Sequence, residues 1–431
     1  MNSLAQELNE KLADTCAVRL FSEAGRRIYF PKGILSQSAE AKNKAHRYNA
    51  TIGMAFNDGK PLILDAIQKQ LPSLSADEAV AYAPTAGVPR FRERWRNELV
   101  KKNPSLANAS ISLPVVVPGL TAGISYLADM FVNVYDAVVV SDMFWPNYRL
   151  ILEERKHARL SHYSFFNDRG GFNLEGFEAA LRSSARQNGK ALVILNFPNN
   201  PTGYTPSLEE GHAIARILDS VASEGFDILV VADDAYFGLQ YEASSLQESI
   251  FALLANKNPR ILAAKVDGST KEDFVWGFRG GCVTFGCKGM TAVHYEALEK
   301  KLMGIIRSSI SSSPSPTQYL LLKAIEDPSY ETQKLEFKAM LERRYSRVKH
   351  YLETHTCPAR LRVLPFNSGY FMCFACNGLS AEKLRLHLLD TYGVGTISIQ
   401  DEWLRVAFSS VNEEHIDDLY SLIFKAAEEC R

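Results

Sequence analysis

The sequence lacks a net charge of either sign, because its 48 Lys and Arg residues are balanced by 49 Asp and Glu residues. Without a basic excess, we do not expect the chain to bind nucleic acid or an anionic membrane through bulk electrostatics. Long apolar runs are absent too, since none approaches the roughly 20 residues that cross a bilayer. No apolar segment follows a basic stretch near the first residue, so we expect no signal peptide and a cytoplasmic location.

Cysteine is also scarce, with seven residues scattered over 431 positions. Cys373 and Cys376 form a CxxC pair, but no second pair and no pair of histidines lies near them in the sequence. Buried thiols in a strand are therefore a better interpretation than a zinc or redox site. We expect no metal in this protein.

The middle of the chain alternates short, β-branched apolar runs with amphipathic segments. Runs with little internal alternation are typical of strands buried on both faces. We predict strands at Leu113–Val117, Ala137–Ser141, Ala191–Asn196, Ile228–Asp233, Ile261–Val266 and Gly281–Phe285, with helices such as Thr121–Phe131, Glu175–Arg186 and Leu208–Ser223 between them. This alternation predicts an α/β fold in which helices cover a mostly parallel sheet.

The pattern changes after Pro314, where one long, charged helix is predicted. Further helices and short strands then alternate, which indicates a smaller α+β domain. The predicted elements are helices Tyr330–Thr354, Ala381–Tyr392 and Glu413–Glu429, and strands Leu361–Leu364, Tyr370–Phe374 and Leu404–Phe408. We predict a large domain at 61–315, a small domain at 316–431, and an irregular segment at 1–60 that joins the small domain.

A series of short motifs carries the chemistry. It consists of the turn sequence at 196–203 (NFPNNPTG), the sequence DDAY at 233–236, Lys271, and Arg279 between glycines. Ligands of parallel sheets bind at the carboxyl ends of strands, where Asn196 and Asp233 are predicted to lie. Each motif alone is weak, but in this order they predict an aromatic phosphate cofactor held as a Schiff base.

The covalent anchor of such a cofactor is a lysine amine, for which the sequence offers two candidates. Lys265 lies inside a predicted strand and is fixed to one face of the sheet, whereas Lys271 lies in a predicted loop at the end of that strand. A loop lysine reaches a ligand more readily. We therefore assign the anchor to Lys271, the alternative being a solvated loop residue.

The ring nitrogen of the cofactor needs an acidic partner, because a carboxylate beside it favours its protonated form. Asp233 ends a buried apolar strand, so its charge requires such a partner. Asp234 is expected to point to the other face of the sheet. Tyr236 and Asn200 offer donors for the ring hydroxyl. The alternatives are a helix cap or a turn for Asp233 and a simple tight turn for Asn200.

A phosphate requires cationic and N–H donors. Arg279 offers a guanidinium that matches a phosphate bidentately. Gly119, Leu120 and Thr121 lie where a predicted strand gives way to a helix, whose positive end attracts anions. Trp145 follows another strand and offers an aromatic face for the cofactor ring. The alternatives are an ordinary capped turn and a packed surface tryptophan.

With these residues in this order, the chain resembles the class I and II aminotransferases, which are fold type I pyridoxal-phosphate enzymes. The resemblance extends from Gly53 to Phe408 and includes the eight-residue separation of Lys271 from Arg279. It implies a fold like that of aspartate aminotransferase, with a mostly parallel, seven-stranded-type sheet and a smaller α+β domain. It also implies pyridoxal 5'-phosphate as cofactor, a homodimer, and ping-pong transfer of an amino group between an L-amino acid and a 2-oxo acid.

The resemblance assigns roles to individual residues. Lys271, Asp233 and Tyr236 carry the chemistry, and the cofactor contacts are those of Gly119, Leu120, Thr121, Trp145, Asn200, Asp233, Tyr236, Lys271, Arg279 and, from a neighbouring subunit, Tyr82. The same resemblance predicts a substrate site formed by Arg405, which holds the α-carboxylate, together with Gly53, Trp145, Asn200 and Arg307.

Two positions leave questions open. The family commonly has a phosphate-binding serine where this chain has Gly268, so Ser269 or Thr270 is expected to replace it. Arg307 has two interpretations: it binds a substrate's side-chain carboxylate across the dimer, or it compensates the dipole at a helix C-terminus.

Rival functions differ in their sequence requirements. A lyase or decarboxylase on the same fold uses the same lysine, aspartate and arginine, so sequence does not separate it from a transaminase. A ligand-sensing regulator of this fold normally carries a basic DNA-binding extension, which the sequence lacks. A nicotinamide dehydrogenase is disfavoured because no GxGxxG follows a predicted strand.

Overall fold

The computed structural model describes residues 34–51 and 53–430, together with residues 1–3, 6 and 10. A seven-stranded sheet forms its centre. The strands are β1 (Val115–Pro118), β2 (Ala137–Ser141), β3 (Arg159–Tyr163), β4 (Lys190–Asn196), β5 (Asp227–Asp233), β6 (Ile261–Asp267) and β7 (Gly280–Gly286). They lie in the order β1-β7-β6-β5-β4-β2-β3, and β7 alone among them runs antiparallel to its neighbours.

The sheet is buried because its central strands are apolar on both faces. Val193 and Val230 pack into one hydrophobic cluster, while Leu192 and Leu229, one residue earlier on the same strands, pack into another on the opposite face. Side chains alternate between the faces of a strand, so unbroken apolar runs feed both clusters. This two-sided burial explains why the runs in the sequence show little alternation.

Helices cover both faces and connect the two sheets. Their bounds are α1 (Ile34–Lys44), α2 (Asp65–Gln68), α3 (Ala76–Val80), α4 (Pro89–Lys102), α5 (Leu120–Phe131), α6 (Leu174–Asn188), α7 (Leu208–Ser223), α8 (Ile250–Leu254), α9 (Ser269–Glu272), α10 (Ala292–Ser309), α11 (Ser315–Ile325), α12 (Tyr330–Thr354), α13 (Ala381–Tyr392) and α14 (Ile416–Glu429). Local caps fix several of these ends. In α7, Ser207 Oγ accepts from the Glu210 N–H at 3.1 Å, and the Glu210 carboxylate accepts from the Ser207 N–H at 2.8 Å, a capping box.

A second, antiparallel sheet lies in the C-terminal part of the chain. It contains β8 (Leu361–Val363), β9 (Met372–Cys376), β10 (Ile397–Ile399) and β11 (Trp403–Val406), in the order β8-β9-β11-β10. Residues Tyr48–Asn49 pair in parallel with Val394–Gly395, so this part of the N-terminal region packs beside the small sheet. The α/β fold with a large, mostly parallel sheet and a smaller α+β unit is therefore confirmed.

Several local predictions need correction. Strands β3 and β10 were missed, since β3 is a half-exposed edge strand of the sequence RLSHY that lacks an apolar run. Residues 34–44 form a helix rather than irregular chain, and Lys271 lies in the four-residue helix α9 rather than in a loop. The boundaries at 60 and 315 stay a prediction. Much of segment 1–60 (residues 4–5, 7–9, 11–33 and 52) lies outside the described residues.

Two findings concern only the part of the chain that the structure describes. There, no helix combines the length and the apolar character needed to cross a bilayer. In the same residues, no group of three or more His, Cys, Asp or Glu side chains is arranged to hold a metal ion. Cys373, from the CxxC pair, is buried in β9 and its Sγ lies 3.3 Å from the Pro201 carbonyl oxygen.

Candidate active site

A cleft of about 210 Å³ opens at the carboxyl ends of β4 and β5, the edge at which a parallel sheet binds ligands. It brings together most of the side chains singled out in the sequence. Its lining comprises Leu120, Thr121, Ile124, Trp145, Asn196, Asn200, Asp233, Ala235, Tyr236, Thr270, Lys271 and Arg279. Residues from five separate parts of the chain thus form one polar site.

Asp233 is the last residue of β5 and is only 3% exposed. Burial raises the pKa of its carboxyl group from 3.8 to about 6, although the hydroxyl of Tyr148 and the charge of Lys271 oppose that rise. Tyr148 donates to Asp233 Oδ2, and the Ala235 N–H donates to Oδ1 at 3.2 Å. A buried carboxylate in this position would be stabilised by a cationic partner bound in the cleft.

Asn196 ties the ends of β4 and β5 together. Its side-chain amide donates to the Asp233 carbonyl oxygen at 2.8 Å, and its Oδ1 accepts from the Asn200 N–H at 2.8 Å. These two bonds fix the turn that carries Asn200 beside the strand that carries Asp233. The role of Asn196 went unnoticed in the sequence, although it is the first residue of the turn motif.

Lys271 enters the cleft from α9, directly after β6. Its Nζ lies 5.1 Å from the centre of the Tyr236 ring, and the Tyr370 hydroxyl donates to its carbonyl oxygen at 2.9 Å. The pKa of the Lys271 amine is lowered to about 8, mainly by burial and also by the charge of Arg279, while the charge of Asp233 opposes the change. A substantial fraction of neutral amine near neutral pH suits a nucleophile or a general base.

Lys265 faces a different environment and is absent from the lining of the cleft. It is 1% exposed, forms an ion pair with Asp234, and lies 3.3 Å from Asp267 Oδ2. The Ser249 hydroxyl also donates to Asp234, at 2.5 Å. The second acid of the DDAY motif therefore pairs with a buried lysine behind the cleft, and this supports Lys271 over Lys265 as the covalent anchor.

One end of the cleft is built around Arg279 and the start of α5. Gly119 has φ +88°, and a Cβ placed on it would lie 2.4 Å from an Arg279 guanidinium nitrogen. A glycine is therefore required where this backbone meets the guanidinium. The Thr270 hydroxyl, also in the cleft, is buried and has no hydrogen-bond partner among the residues that the structure describes.

The backbone around Gly268 explains why this chain lacks the serine that the resemblance predicts at this position. A Cβ at this position would lie 2.4 Å from the Gly280 carbonyl oxygen and 2.9 Å from the Gly281 Cα, both backbone atoms. A serine side chain does not fit between β6 and β7 without moving the backbone. The orphaned Thr270 hydroxyl is positioned on the cleft side instead. Guanidinium, helix N-terminus and free hydroxyl are together a donor set that fits a phosphate.

At the other end, Arg405 lies in β11 of the small sheet and contacts the lining residue Asn200. It is buried, donates to Asn200 Oδ1 at 3.0 Å and to the Thr51 carbonyl oxygen at 3.2 Å, and lies 4.2 Å from the centre of the Phe371 ring. Its Nε has no hydrogen-bond partner in the described part of the chain. Burial lowers the pKa of the guanidinium, so its charge calls for an anion here. An arginine with donors to spare fits a carboxylate.

With this geometry in view, comparison with known proteins decides the family. A family model described as aminotransferase class I and II matches residues 51–423. The chain belongs to the class I and II aminotransferases. The cofactor of this family is pyridoxal 5'-phosphate, and the residues of the cleft fit it: an amine, a buried carboxylate and a phosphate-binding donor set.

Individual relatives of this aminotransferase are distant. It is similar to the cytoplasmic aspartate aminotransferase of Schizosaccharomyces pombe, at 25% identity over 65% of this chain and 68% of that protein. A probable aminotransferase of Mycobacterium tuberculosis is 24% identical over 66% of this chain and 59% of its own length. The solved aminotransferase from Anaerococcus prevotii has a TM-score of 0.84 at 21% identity, covering 96% of this chain and 99% of that one, and so shares the fold.

Two predicted residues of the aminotransferase lie away from the cleft within this single chain. Tyr82 is 93% exposed, and Arg307 is exposed in the last turn of α10. Gly53 lies closer: a Cβ on it would contact the Phe371 ring at 3.5 Å and the Tyr236 hydroxyl at 3.7 Å. The functions assigned to all three stay predictions.

Tyr148 is a side chain of this site that the sequence did not predict. It is buried and contacts both Asp233 and Trp145. Its position three residues after Trp145 could have predicted it, because in a turn of that length the first and last side chains lie on the same side. Phe371, under Arg405, was likewise unnoticed because it lies inside an apolar run.

Proposed function

We propose that this aminotransferase moves an amino group between an L-amino acid and a 2-oxo acid by a ping-pong mechanism, with both substrates using the same cleft. The observation that carries the proposal is the placement of Lys271 in the cleft, with a pKa near 8, between the Asp233 carboxyl and the phosphate-binding donors. That arrangement provides an amine able to bind a carbonyl and then to move a proton.

Each residue has a part in that reaction. Arg405 binds and orients the substrate's α-carboxylate, and the Phe371 ring below it excludes water from the guanidinium. As a neutral amine, Lys271 would take the proton from the substrate's Cα and would deliver it to the C4′ carbon of the cofactor. When bound, pyridoxal phosphate supplies an electron-poor ring that makes the Cα proton acidic. Asp233 holds a proton on the ring nitrogen and so keeps the ring electron-poor.

The remaining contacts position the cofactor. Asn200 and Tyr236 donate to the ring hydroxyl, and Trp145 covers one face of the ring. Arg279 and the backbone at Gly119, Leu120 and Thr121 hold the phosphate, and Thr270 takes the place of the serine that Gly268 excludes. Apart from Gly119, which borders the Arg279 guanidinium, all of these contact residues line one cleft, and this supports the assignment.

The covalent anchor is tested by borohydride reduction of the loaded enzyme followed by peptide mass spectrometry. We expect the adduct on Lys271, and its loss in Lys271→Ala. An adduct on Lys265 would overturn the assignment. A single turnover with an amino acid then separates the reaction classes. Conversion of bound pyridoxal phosphate to its amine form supports transamination, whereas release of ammonia and pyruvate favours an elimination on the same fold.

We further propose that the enzyme works as a homodimer whose second subunit donates Tyr82 to the phosphate. The exposure of the Tyr82 ring supports this, because a tyrosine that is 93% exposed in one chain is available to a neighbour. Sedimentation should give a dimer. Tyr82→Phe should weaken cofactor binding in the dimer without changing the unfolding free energy of the subunit.

We propose a dicarboxylic amino acid as the first substrate to test, because the relative from Schizosaccharomyces pombe is named for aspartate and Arg307 is exposed and available to a second subunit. Kinetics with aspartate, alanine, aromatic and branched amino acids compare the classes. Arg307→Ala should raise KM for aspartate and leave alanine unchanged, with Arg343→Ala, an exposed arginine on α12, as the matched control. Unchanged aspartate turnover in Arg307→Ala would exclude the idea.

A further inference from the structure

We propose that Tyr148 is a positioning residue that holds two cofactor-binding side chains at once: its hydroxyl keeps Asp233 ionised and aimed into the cleft, and its ring sets the angle of Trp145. The proposal rests on the function proposed above, in which Asp233 pairs with the ring nitrogen and Trp145 covers the ring. It adds a residue that touches neither substrate nor cofactor in that scheme.

The ring of Tyr148 is held on two sides. It lies parallel to Phe144, with ring centres 6.3 Å apart and planes 10° apart, and Phe144 in turn stacks on His162 at 5.2 Å. Its other neighbour is Trp145, which meets it at 85° with ring centres 5.6 Å apart. An edge-to-face pair of this kind has a preferred geometry, so the Tyr148 ring restricts the tilt of the tryptophan.

The backbone fixes the tyrosine as well. Residues Arg149–Glu154 form a π-helical turn directly after it, and the Tyr148 N–H donates to the Trp145 carbonyl oxygen at 3.0 Å. A π-helical turn is rare and occurs often at functional sites. The tyrosine is 2% exposed, so its hydroxyl has no solvent partner to compete with Asp233.

Four groups face the Asp233 carboxyl and set its charge. Tyr148 donates to it from the turn after β2, Lys271 attracts its charge from α9, and Asp234 repels it from the next position in the chain. Tyr236 also lies close enough to interact with it. Burial raises the pKa of Asp233, and the Tyr148 hydrogen bond is the largest of the effects that lower it again.

Tyr148 itself stays a donor under all working conditions. Burial and the neighbouring Asp233 charge raise the pKa of its phenol well above the ordinary value. A phenol that does not ionise offers Asp233 one proton in a fixed direction and accepts none from it. Its function is therefore to orient and stabilise the carboxylate, and it does not act as an acid or a base.

The test begins with Tyr148→Phe, which removes the hydroxyl and keeps the ring. The matched control is Tyr163→Phe, a buried tyrosine in the aromatic core that is absent from the cleft lining. In cofactor-free protein, infrared difference spectra against Asp233→Asn identify the Asp233 carboxyl band. We expect the pKa of Asp233 to rise by about 1–2 in Tyr148→Phe, the value of one charge-assisted hydrogen bond, and to stay unchanged in the control.

The loaded enzyme gives a second readout. With 15N-labelled pyridoxal phosphate, the ring-nitrogen signal of Tyr148→Phe should move toward the unprotonated form, because a more basic carboxylate draws the shared proton away. We expect kcat to fall about tenfold or more, with KM for the amino acid within twofold, because Arg405 is untouched. Equal losses in Tyr163→Phe would assign the effect to packing and overturn the proposal.

A fluorinated tyrosine at position 148 provides an independent test if the Tyr148→Phe variant misfolds. Its more acidic phenol strengthens the hydrogen bond, so the pKa of Asp233 should move down, opposite to Tyr148→Phe. If neither variant moves the infrared band, the proposal is wrong. If wild-type protein forms no lysine adduct with pyridoxal phosphate, the proposed function fails instead, and that result is visible before any variant is made.

Discussion

Asp233→Asn should make the cofactor-free enzyme more stable while destroying its activity. The carboxyl group is buried at the end of β5, and burial raises its pKa from 3.8 to about 6. Above pH 6 the folded protein therefore holds a charge that it disfavours. This loss of stability is compensated when a cationic partner binds at Asp233. Such a loss of stability in favour of function is common at active sites.

The size of the effect follows from the two pKa values. A rise from 3.8 to about 6 corresponds to roughly 3 kcal/mol at pH 7.5. The folded state binds the proton more tightly than the unfolded state, so the penalty is complete above about pH 6 and disappears as the pH falls toward 4. We therefore expect a net gain of about 2–3 kcal/mol at pH 7.5, which falls to about 1 kcal/mol or less at pH 4.5.

The assay is denaturant unfolding of cofactor-free protein at both pH values, with single-turnover kinetics on the loaded enzyme. The control is the same substitution one residue later. Asp234→Asn removes a partner of the buried Lys265 and leaves only Asp267, so it should destabilise by about 2–3 kcal/mol. If Asp233→Asn destabilises as well, or if its effect is independent of pH, the reasoning about a strained carboxylate is refuted.

Three further predictions use the same site. Gly119→Ala places a Cβ 2.4 Å from the Arg279 guanidinium at φ +88°, so equilibrium dialysis should show cofactor affinity reduced about tenfold or more; unchanged affinity would remove Arg279 from the phosphate site. Arg405→Lys loses the two-pronged grip on a carboxylate, and KM for amino acids should rise about 30- to 150-fold, while turnover of an amine without a carboxylate stays as it was. Because burial lowers the pKa of Lys271 to about 8, the rate of covalent cofactor attachment should be half-maximal near pH 8 and level off about one pH unit higher; a rise that continues past pH 10 would contradict that environment.

Much of the large sheet was predictable because its strands are locally encoded. The predicted strand Ala137–Ser141 and the predicted helices Leu208–Ser223 and Tyr330–Thr354 agree with the structure at both ends. Continuous apolar runs bounded by polar residues mark buried strands, and capping residues mark helix ends. The strand Arg159–Tyr163 was not predicted. It lies at the edge of the sheet with one neighbouring strand and is partly exposed, so its sequence contains no continuous apolar run.

The residues of the candidate site also fall into those that the sequence predicts and those that only the tertiary structure reveals. Asn200, Asp233 and Lys271 could be selected from sequence because each follows a recognisable strand, and the ends of parallel strands meet at one edge of the sheet. The contact of Arg405 with Asn200 joins residues 205 positions apart, and that of Tyr148 with Asp233 joins residues 85 apart. No periodicity in the chain reports such contacts, because they depend on how the elements pack.

The sequence by itself thus determined which polar residues follow the strands and which motifs of the family are present, and it predicted Lys271 rather than Lys265 as the anchor. Only the tertiary structure decided what Asp234 does, why Gly268 cannot be serine, and which tyrosine holds Asp233. The physical reason is that hydrophobic patterning is a property of neighbouring residues. A buried charge, by contrast, is set by every group that folding brings within a few ångströms of it.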